Sequence, residues 1–200
     1  MALDKFGIKE VADVRFYEVG DIKINAETGA VEAGEGKEAV PEAQLSLDTL
    51  KVSTIEFTAE QAEARGGKGN APLIIWDYGR EVNVTLEDAL LSMDTMRLMF
   101  GDDGEGTIEI NANKFPGTYS VVGQTFARNY VDGKEHLFTF YIPKAKIQSE
   151  NTITMEAEGD PTVFNMSLRV LRGDNGKMME LVACQDAYTQ TGINIWGDEA

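Results

Sequence analysis

AEARGGKGNAPLIIWDYGREVNVTLEDALLSMDTMRLMFG, residues 62–101, combines a glycine-rich loop, two strand-like runs and a helical pattern. The run 73–78 is aliphatic and aromatic, and the run 82–86 alternates apolar with polar residues, so both are predicted strands. The loop at 65–70 holds three glycines, two cations and no apolar side chain. Because such a loop has nothing to bury, we expect it to project into solvent or onto a partner. Residues 62–79 are therefore predicted to form a projecting loop and strand.

The same stretch predicts one substantial helix over residues 86–100. Thr85 followed by Asp88 fits a capping box at its start, and Gly101 suits a left-handed residue at its end. Apolar residues recur at steps of three and four, and we expect this face to pack against a sheet. The predicted core face consists of Leu86, Leu90, Met93, Met96 and Phe100.

The rest of the chain reads mainly as strands separated by turns. About ten strands and one helix predict a mainly β, antiparallel sandwich or barrel, built as a single domain over residues 1–200. Residues 25–48 are rich in Ala, Glu and Gly, so we expect a long loop or arm there. The acidic tail at 186–200 is expected to dock on a neighbour. The other predicted strands are 14–19, 22–24, 50–57, 107–112, 118–129, 137–142, 152–158, 163–171 and 178–184.

The charge is strongly acidic, since 18 Lys and Arg residues oppose 34 Asp and Glu residues for a net charge of −16. This argues against a general nucleic-acid binder, which places cations on phosphates. Solubility accounts for much of the excess. A more specific interpretation is a surface that lies close to DNA without holding it, because like charges repel within about 8 Å at physiological salt.

Residues that carry chemistry are scarce. The sequence has one histidine, His136, and one cysteine, Cys184, which argues against a conventional zinc site and rules out a disulfide within it. No nucleophile elbow accompanies the histidine, and no P-loop pattern is present. We expect no enzymatic activity and no catalytic, cofactor-binding or metal-binding residues. A carboxylate pair of the glycosidase kind stays open, because carboxylates are so abundant.

Two blocks of the sequence resemble the major tail tube proteins of tailed bacteriophages. The first spans residues 63–101 and contains ARGGKGNAPLIIWDYGREVNVTLEDALLS. The second spans residues 136–184 and contains FTFYIPKAKIQS, ITMEAEGDPTVFNMSLRVL and MELVAC. Residues 25–48 and 186–200 carry no part of the resemblance.

The resemblance implies a β-sandwich flanked by a helix, assembled as hexameric rings whose inner strands merge into one closed barrel. The rings would stack around a tape-measure protein and later let double-stranded DNA pass without binding it. Further implied partners are other copies of the chain, tail terminator and baseplate proteins and, in a contractile tail, a sheath protein. No membrane and no cofactor is implied. The protein would be assembled in the cytoplasm of the host bacterium and reside in the virion tail.

The resemblance also suggests roles for particular residues. The predicted loop would reach the adjacent ring, with contact candidates Arg65, Gly66, Gly67, Lys68, Gly69 and Asn70. Strands beside this loop and the later hairpin would line the bore, with lumen candidates Glu56, Glu109, Glu156 and Glu158.

Other classes of protein fit parts of the pattern. A capsid decoration protein, a tail terminator or a secretion-tube protein of the hemolysin-coregulated kind would share the sandwich. A soluble carbohydrate-binding module or acidic hydrolase is an alternative of another class. A carbohydrate-binding module needs exposed aromatic residues on one sheet face, and the candidates are Tyr119, Phe126, Tyr130 and Trp196.

Overall fold

The computed structural model describes residues 5–8, 13–102, 104, 106–148 and 164–184. Within these ranges the chain is mainly β with one α-helix, as the sequence predicts. The strands are β1 (Phe6–Ile8), β2 (Asp13–Glu18), β3 (Ile22–Ile24), β4 (Val31–Ala33), β5 (Leu45–Leu47), β6 (Leu50–Gly66), β7 (Ala71–Asp88), β8 (Thr118–Asn129), β9 (Glu135–Ile147), β10 (Phe164–Val170) and β11 (Glu180–Ala183). The helix, α1, spans Met93–Phe100.

Nine of these strands form one antiparallel sheet in the order β5–β2–β8–β9–β10–β7–β6. β1 adds to one end of β8, and β11 adds to one end of β9. β3 and β4 form a separate two-stranded hairpin. The outer strands β5 and β6 do not pair with each other in the described chain, so its sheet is not closed into a barrel.

The sheet has an apolar core on each face. The larger core collects alternate residues of β2, β5, β7, β8, β9 and β10 with Met99 of α1. The smaller core lies under the β3–β4 hairpin, where the Tyr141 hydroxyl donates to the Ile22 carbonyl at 3.0 Å. Beside it, the Thr139 hydroxyl donates to the Gly29 carbonyl at 2.8 Å. These polar contacts fix the hairpin on the sheet and satisfy groups that burial would otherwise leave unpaired.

Residues 25–48 are only in part the long loop or arm that their composition predicts. They contain β4 and β5, and Val31, Leu45 and Leu47 are buried. These three apolar residues are enough to attach the segment to the two cores. The strands were not predicted, because they are only three residues long and are separated by Ala, Glu and Gly residues.

The helix begins at Met93, so the predicted start at Leu86 is wrong. The Ser92 hydroxyl caps it by accepting from the Thr95 N–H at 3.0 Å. Thr85 and Asp88 belong to β7 and form no capping box. The predicted end is confirmed, because Gly101 adopts the left-handed conformation at φ 67°. Leu86 fits both the alternation of Val82 and Val84 and the helical step to Leu90, and its pairing with Met166 of β10 places it in the strand.

The predicted core face of the helix is also corrected. Leu86 is buried, but in β7. Leu90 is 64% exposed and precedes the helix, Met93 is 48% exposed, and Met96 and Phe100 are half-buried. The buried helical residues are Thr95 and Met99.

Two other predicted strands differ from the structure. Residues 107–112 form no strand, because the Glu109 N–H donates to the Asp102 carboxylate at 3.2 Å rather than to a neighbouring strand. β9 continues through Pro143 to Ile147 at an irregularity in its pairing with β8. There the Ser120 hydroxyl donates to the Pro143 carbonyl at 2.9 Å.

The remaining predicted strands on described residues coincide with strands of the structure, but β6 continues beyond the predicted 50–57 to Gly66, and β7 contains both 73–78 and 82–86. The strand predicted at 152–158 and the tail at 186–200 lie outside the described residues. Among the described residues, no helix has the length and apolar character that crossing a membrane requires.

Candidate assembly interface

The hairpin formed by β6 and β7 has a buried base and an outer part, residues 58–81, that is almost entirely exposed. The two strands pair from Leu50 and Asp88 at the base to Gly66 and Ala71 at the tip. β10 flanks β7 only over residues 83–88. Beyond that point β7 pairs with β6 alone, and we call residues 58–81 the arm. At about 3.3 Å per residue, the arm extends roughly 30 Å beyond the shared sheet.

The tip of the arm is the glycine-rich stretch that the sequence predicts to project. Arg65 and Gly66 belong to β6, and residues 67–70 form the turn, in which the Asn70 N–H donates to the Gly67 carbonyl at 3.2 Å. Gly67 and Gly69 have φ values of 78° and 93°, which favour glycine. The glycines therefore serve a tight turn at the end of two long strands.

The two cations of this stretch differ in their surroundings. Arg65 forms an ion pair with Glu63 on its own strand. Lys68 is exposed at the turn and forms no ion pair with any described residue. Of the two, Lys68 is thus the cation that a partner surface can take up.

The runs 73–78 and 82–86 belong to one strand, β7, although the sequence predicts two. Pairing advances by two residues from Thr58 to Glu60 but by three from Glu81 to Tyr78, so β7 carries a bulge there. Gly79 lies in this bulge with φ 61°. The bulge occurs just outside the last residue paired with β10, where it sets the direction in which the arm leaves the body.

The two faces of the arm differ in chemistry. In an antiparallel ladder directly opposed residues share a face, and alternate residues point to opposite faces. On one face, called here the mixed face, Glu63 lies opposite Ile75, and the Gln61 amide donates to the Asp77 carboxylate at 2.8 Å. The opposite face, called here the apolar face, pairs Ala64 with Ile74 and Ala62 with Trp76, and Glu60 with Tyr78 at its base.

No described residue covers the apolar face. Ile74, Trp76 and Tyr78 are each just over half exposed, with Trp76 at 53%. A contiguous apolar surface of this kind marks an interaction site, and a two-stranded hairpin in water is marginally stable by itself. The arm is therefore the candidate interface. The sequence predicts the tip of the arm but not its apolar face. The available signal was the run of four consecutive apolar residues, Leu73–Trp76, beside a charged glycine turn.

The lumen candidates lie on separate elements. Glu56 is exposed on β6 opposite Asn83, and Glu109 is exposed in the irregular segment before β8. Glu156 and Glu158 lie outside the described residues. The sheet face of Glu56 carries both signs of charge, because Arg169 of β10 lies opposite Asn83 and forms an ion pair with Glu81.

The residues considered for catalysis and metal binding lie apart from the arm. No group of three or more His, Cys, Asp or Glu side chains is close enough to hold a metal ion among them. His136 is buried with its Nδ1 3.1 Å from the Cys184 carbonyl oxygen, so the sole histidine is engaged by backbone. A cavity of about 470 Å³ lies beside α1. Its Arg97 is occupied by Asp94 at 3.3 Å and by the Gly106 carbonyl at 3.0 Å.

The aromatic residues considered for carbohydrate binding are not brought onto one face. Tyr119 packs against the larger core, with its ring 6.3 Å from that of Phe16 and nearly perpendicular to it. Phe126 points to the opposite face of β8, and Tyr130 lies at the β8–β9 turn. Trp196 lies outside the described residues.

Comparison with known proteins gives a family. The model of the YomU/Tube protein family matches residues 26–105 and 104–181. No curated protein matches the chain. The two matched segments contain β4 to β10, the beginning of β11, α1 and the whole arm, and they extend over more than half of the chain. The chain therefore belongs to the YomU/Tube protein family.

Proposed function

We propose that this protein is a structural component of a tailed bacteriophage, which polymerises as stacked hexameric rings into the tube of the tail. The observation that carries the proposal is an exposed arm with an apolar face in a chain of the YomU/Tube family. In this account the protein acts by assembling around a passage for DNA and performs no catalysis.

The arm supports the proposal through its energetics. In the isolated chain, three large apolar side chains of the arm are half exposed to water. This exposure is unfavourable in free energy, because burial stabilises by about 25 cal/mol per Å² of apolar surface. A second copy that covers them recovers this free energy. Polymerisation is then favoured without any change in the body of the protein.

The tip of the arm supports contact along the tube axis. Lys68 is a cation at the far end of the arm that forms no ion pair within the described part of the chain, whose net charge over the full sequence is −16. A second copy therefore presents an acidic environment to this cation. We propose that residues 65–70 contact the adjacent ring and that Lys68 supplies the electrostatic part of the contact.

The acidic excess suits a wall that DNA passes. A duplex carries about one negative charge per 1.7 Å, and a basic wall would retain it. We propose Glu56, Glu109, Glu156 and Glu158 as lumen residues. The remaining proposed partners are the tape-measure, terminator and baseplate proteins, with a sheath protein in a contractile tail. The proposed location is the virion tail, after assembly in the bacterial cytoplasm, and no membrane takes part.

Negative-stain electron microscopy of the purified chain at increasing concentration tests the proposal. We expect rings and then hollow tubes for the wild type, and loss of both for Trp76→Glu on the arm. Tyr130→Glu is the control, because Tyr130 is an aromatic residue outside the arm and is even more exposed than Trp76, at 81%. Compact single particles at every concentration, or equal loss of tubes in both variants, would contradict the proposal.

A further inference from the structure

The apolar face of the arm has a relief that follows from its register. Its three large side chains, Ile74, Trp76 and Tyr78, all come from β7. Opposite the first two, β6 supplies only the methyl groups of Ala64 and Ala62. The face thus consists of a ridge along β7 beside a trough along β6.

Such a relief is complementary to itself. A ridge needs a trough of the same length, and a second copy of the arm offers one with the same spacing of residues. The pairs Ala64–Ile74 and Ala62–Trp76 contain no charge, and the first carboxylate on this face is Glu60 beside Tyr78. Two copies of a chain with net charge −16 repel each other. They can therefore approach most closely where neither presents a carboxylate.

The area of the face indicates how strong a single contact is. An aromatic side chain buries about 150–250 Å² when fully covered, so the half-exposed ridge contributes roughly 300 Å² per copy. A stable pairwise interface needs about 800 Å² per partner. One arm-to-arm contact is thus too small to hold an isolated dimer, and it suits an assembly in which many copies repeat it.

We propose that the Trp76 ridge of one copy packs into the Ala62–Ala64 trough of a second copy's arm. This inference rests on the proposed function and deepens it, because it names the surface that covers the apolar face. Because the ridge and the trough lie side by side on one face, two arms can meet with each ridge in the other's trough, which is an isologous contact. Growth into rings and stacks then needs the other contacts of the chain, such as the one proposed for residues 65–70.

Selective cross-linking between two single-cysteine copies tests this contact. Full-length Ala62→Cys and Trp76→Cys chains, each also carrying Cys184→Ser, are mixed and treated with a bis-maleimide spanning about 10 Å, the distance between packed sheets. Because each reactive group is on a different copy, any product of double mass joins two molecules. We expect the mixture to yield at least tenfold more of this product than either variant alone.

The matched control uses the other face of the same arm. Glu63→Cys and Ile75→Cys are also directly opposed, and they lie on the mixed face. Equal yields from the two mixtures would overturn the inference. Ala64→Cys with Ile74→Cys provides a second pair on the apolar face, in case the loss of Trp76 weakens the contact.

The outcomes separate this inference from the proposed tube. Tubes in the electron microscope without selective cross-linking would refute the ridge-in-trough contact and leave the tube standing. Selective cross-linking without tubes would support the ridge-in-trough contact and refute the proposed tube. Fluorescence of Trp196→Phe, in which Trp76 is the remaining tryptophan, should shift to the blue as concentration rises. A blue-shifted emission independent of concentration would show cover from within the same chain and would overturn the inference.

Discussion

Ala62 lies directly opposite Trp76 on the apolar face of the arm, so the smallest side chain with a Cβ stands beside the largest. This pairing leaves one flank of the indole without a neighbour from its own hairpin. The small Ala62 side chain also leaves space above β6 for a bulky group of another molecule. We therefore regard the apolar face as a surface that a second molecule covers.

Reversal of the charge at the tip should weaken assembly. Lys68→Glu places a carboxylate where the proposed contact needs a cation. We expect the polymerised fraction to fall severalfold, while the free energy of unfolding changes by less than about 0.5 kcal/mol. Sedimentation of polymer and urea denaturation of the monomer measure the two quantities. Lys134→Glu, at the exposed β8–β9 turn, is the control. An unchanged polymerised fraction for Lys68→Glu would refute the contact.

Substitution by alanine should destabilise the protein more at Gly101, which ends the helix, than at Gly106. Gly101 and Gly106 both have positive φ, at 67° and 84°. A Cβ at Gly101 would lie 2.4 Å from the Phe115 carbonyl oxygen, whereas a Cβ at Gly106 would meet nothing within 4 Å. Gly106→Ala should cost about 1–2 kcal/mol of unfolding free energy from backbone strain alone. Gly101→Ala should cost clearly more, and equal losses in urea denaturation would contradict the described packing.

Asp88 should contribute to stability through its two hydrogen bonds. It is buried at the base of the hairpin, where its carboxylate accepts from the Thr49 hydroxyl and, at 3.3 Å, from the Leu90 N–H. Asp88→Ala removes the acceptor of both and should cost about 1–3 kcal/mol. The double-mutant cycle with Thr49→Val measures the shared bond. Strict additivity in that cycle would show that the Thr49 contact contributes nothing.

Two aspartates should give opposite pH dependence of stability. Hydrogen bonds from the Glu109 and Gly104 N–H groups, with Lys114 nearby, lower the pKa of Asp102 below its ordinary value of 3.8. Its stabilisation is therefore present above that value and is lost as the pH falls toward the lower pKa of the folded state. Partial burial, and then the charge of Asp48, raise the pKa of Asp13 above 3.8 despite Arg15. Asp13 consequently destabilises the folded chain above its raised pKa, and this penalty disappears as the pH falls through that pKa to 3.8.

Substitution by asparagine separates the two effects. Asp102→Asn should lower the free energy of unfolding at pH 7, with a smaller loss near pH 3. Asp13→Asn should raise it at pH 7, with little gain near pH 3. Urea denaturation at both pH values provides the measurement. The same sign of change for both variants at pH 7 would contradict these assignments.

The sequence predicted those parts of the fold in which local and global signals agree. Phe164, Met166, Leu168 and Val170 alternate and are all buried. The turn at Gly133 is where the dipeptide Asp132-Gly133 indicates it, with the Gly133 N–H donating to the Asn129 carbonyl at 3.0 Å. Such elements need no information from distant residues.

The sequence-based predictions of secondary structure were wrong where contacts with other parts of the chain determine the structure. Leu86 fits a helical step to Leu90, but it lies opposite Met166 of β10, about eighty positions away in the chain. Ile108 and Ile110 alternate with polar residues as in a strand, but the Glu109 N–H donates to the Asp102 carboxylate and is therefore not available for pairing with another strand. The exposure of Trp76 was equally hidden, because an apolar run reads as core unless the absence of a covering strand is known.

The measurement that tests the central claim most directly is sedimentation velocity of the full-length wild-type chain over a wide range of concentration. The account predicts single chains at low concentration and a cooperative transition to large polymers, without intermediate dimers as a major species. A single-chain sedimentation coefficient maintained up to the highest soluble concentration would contradict it.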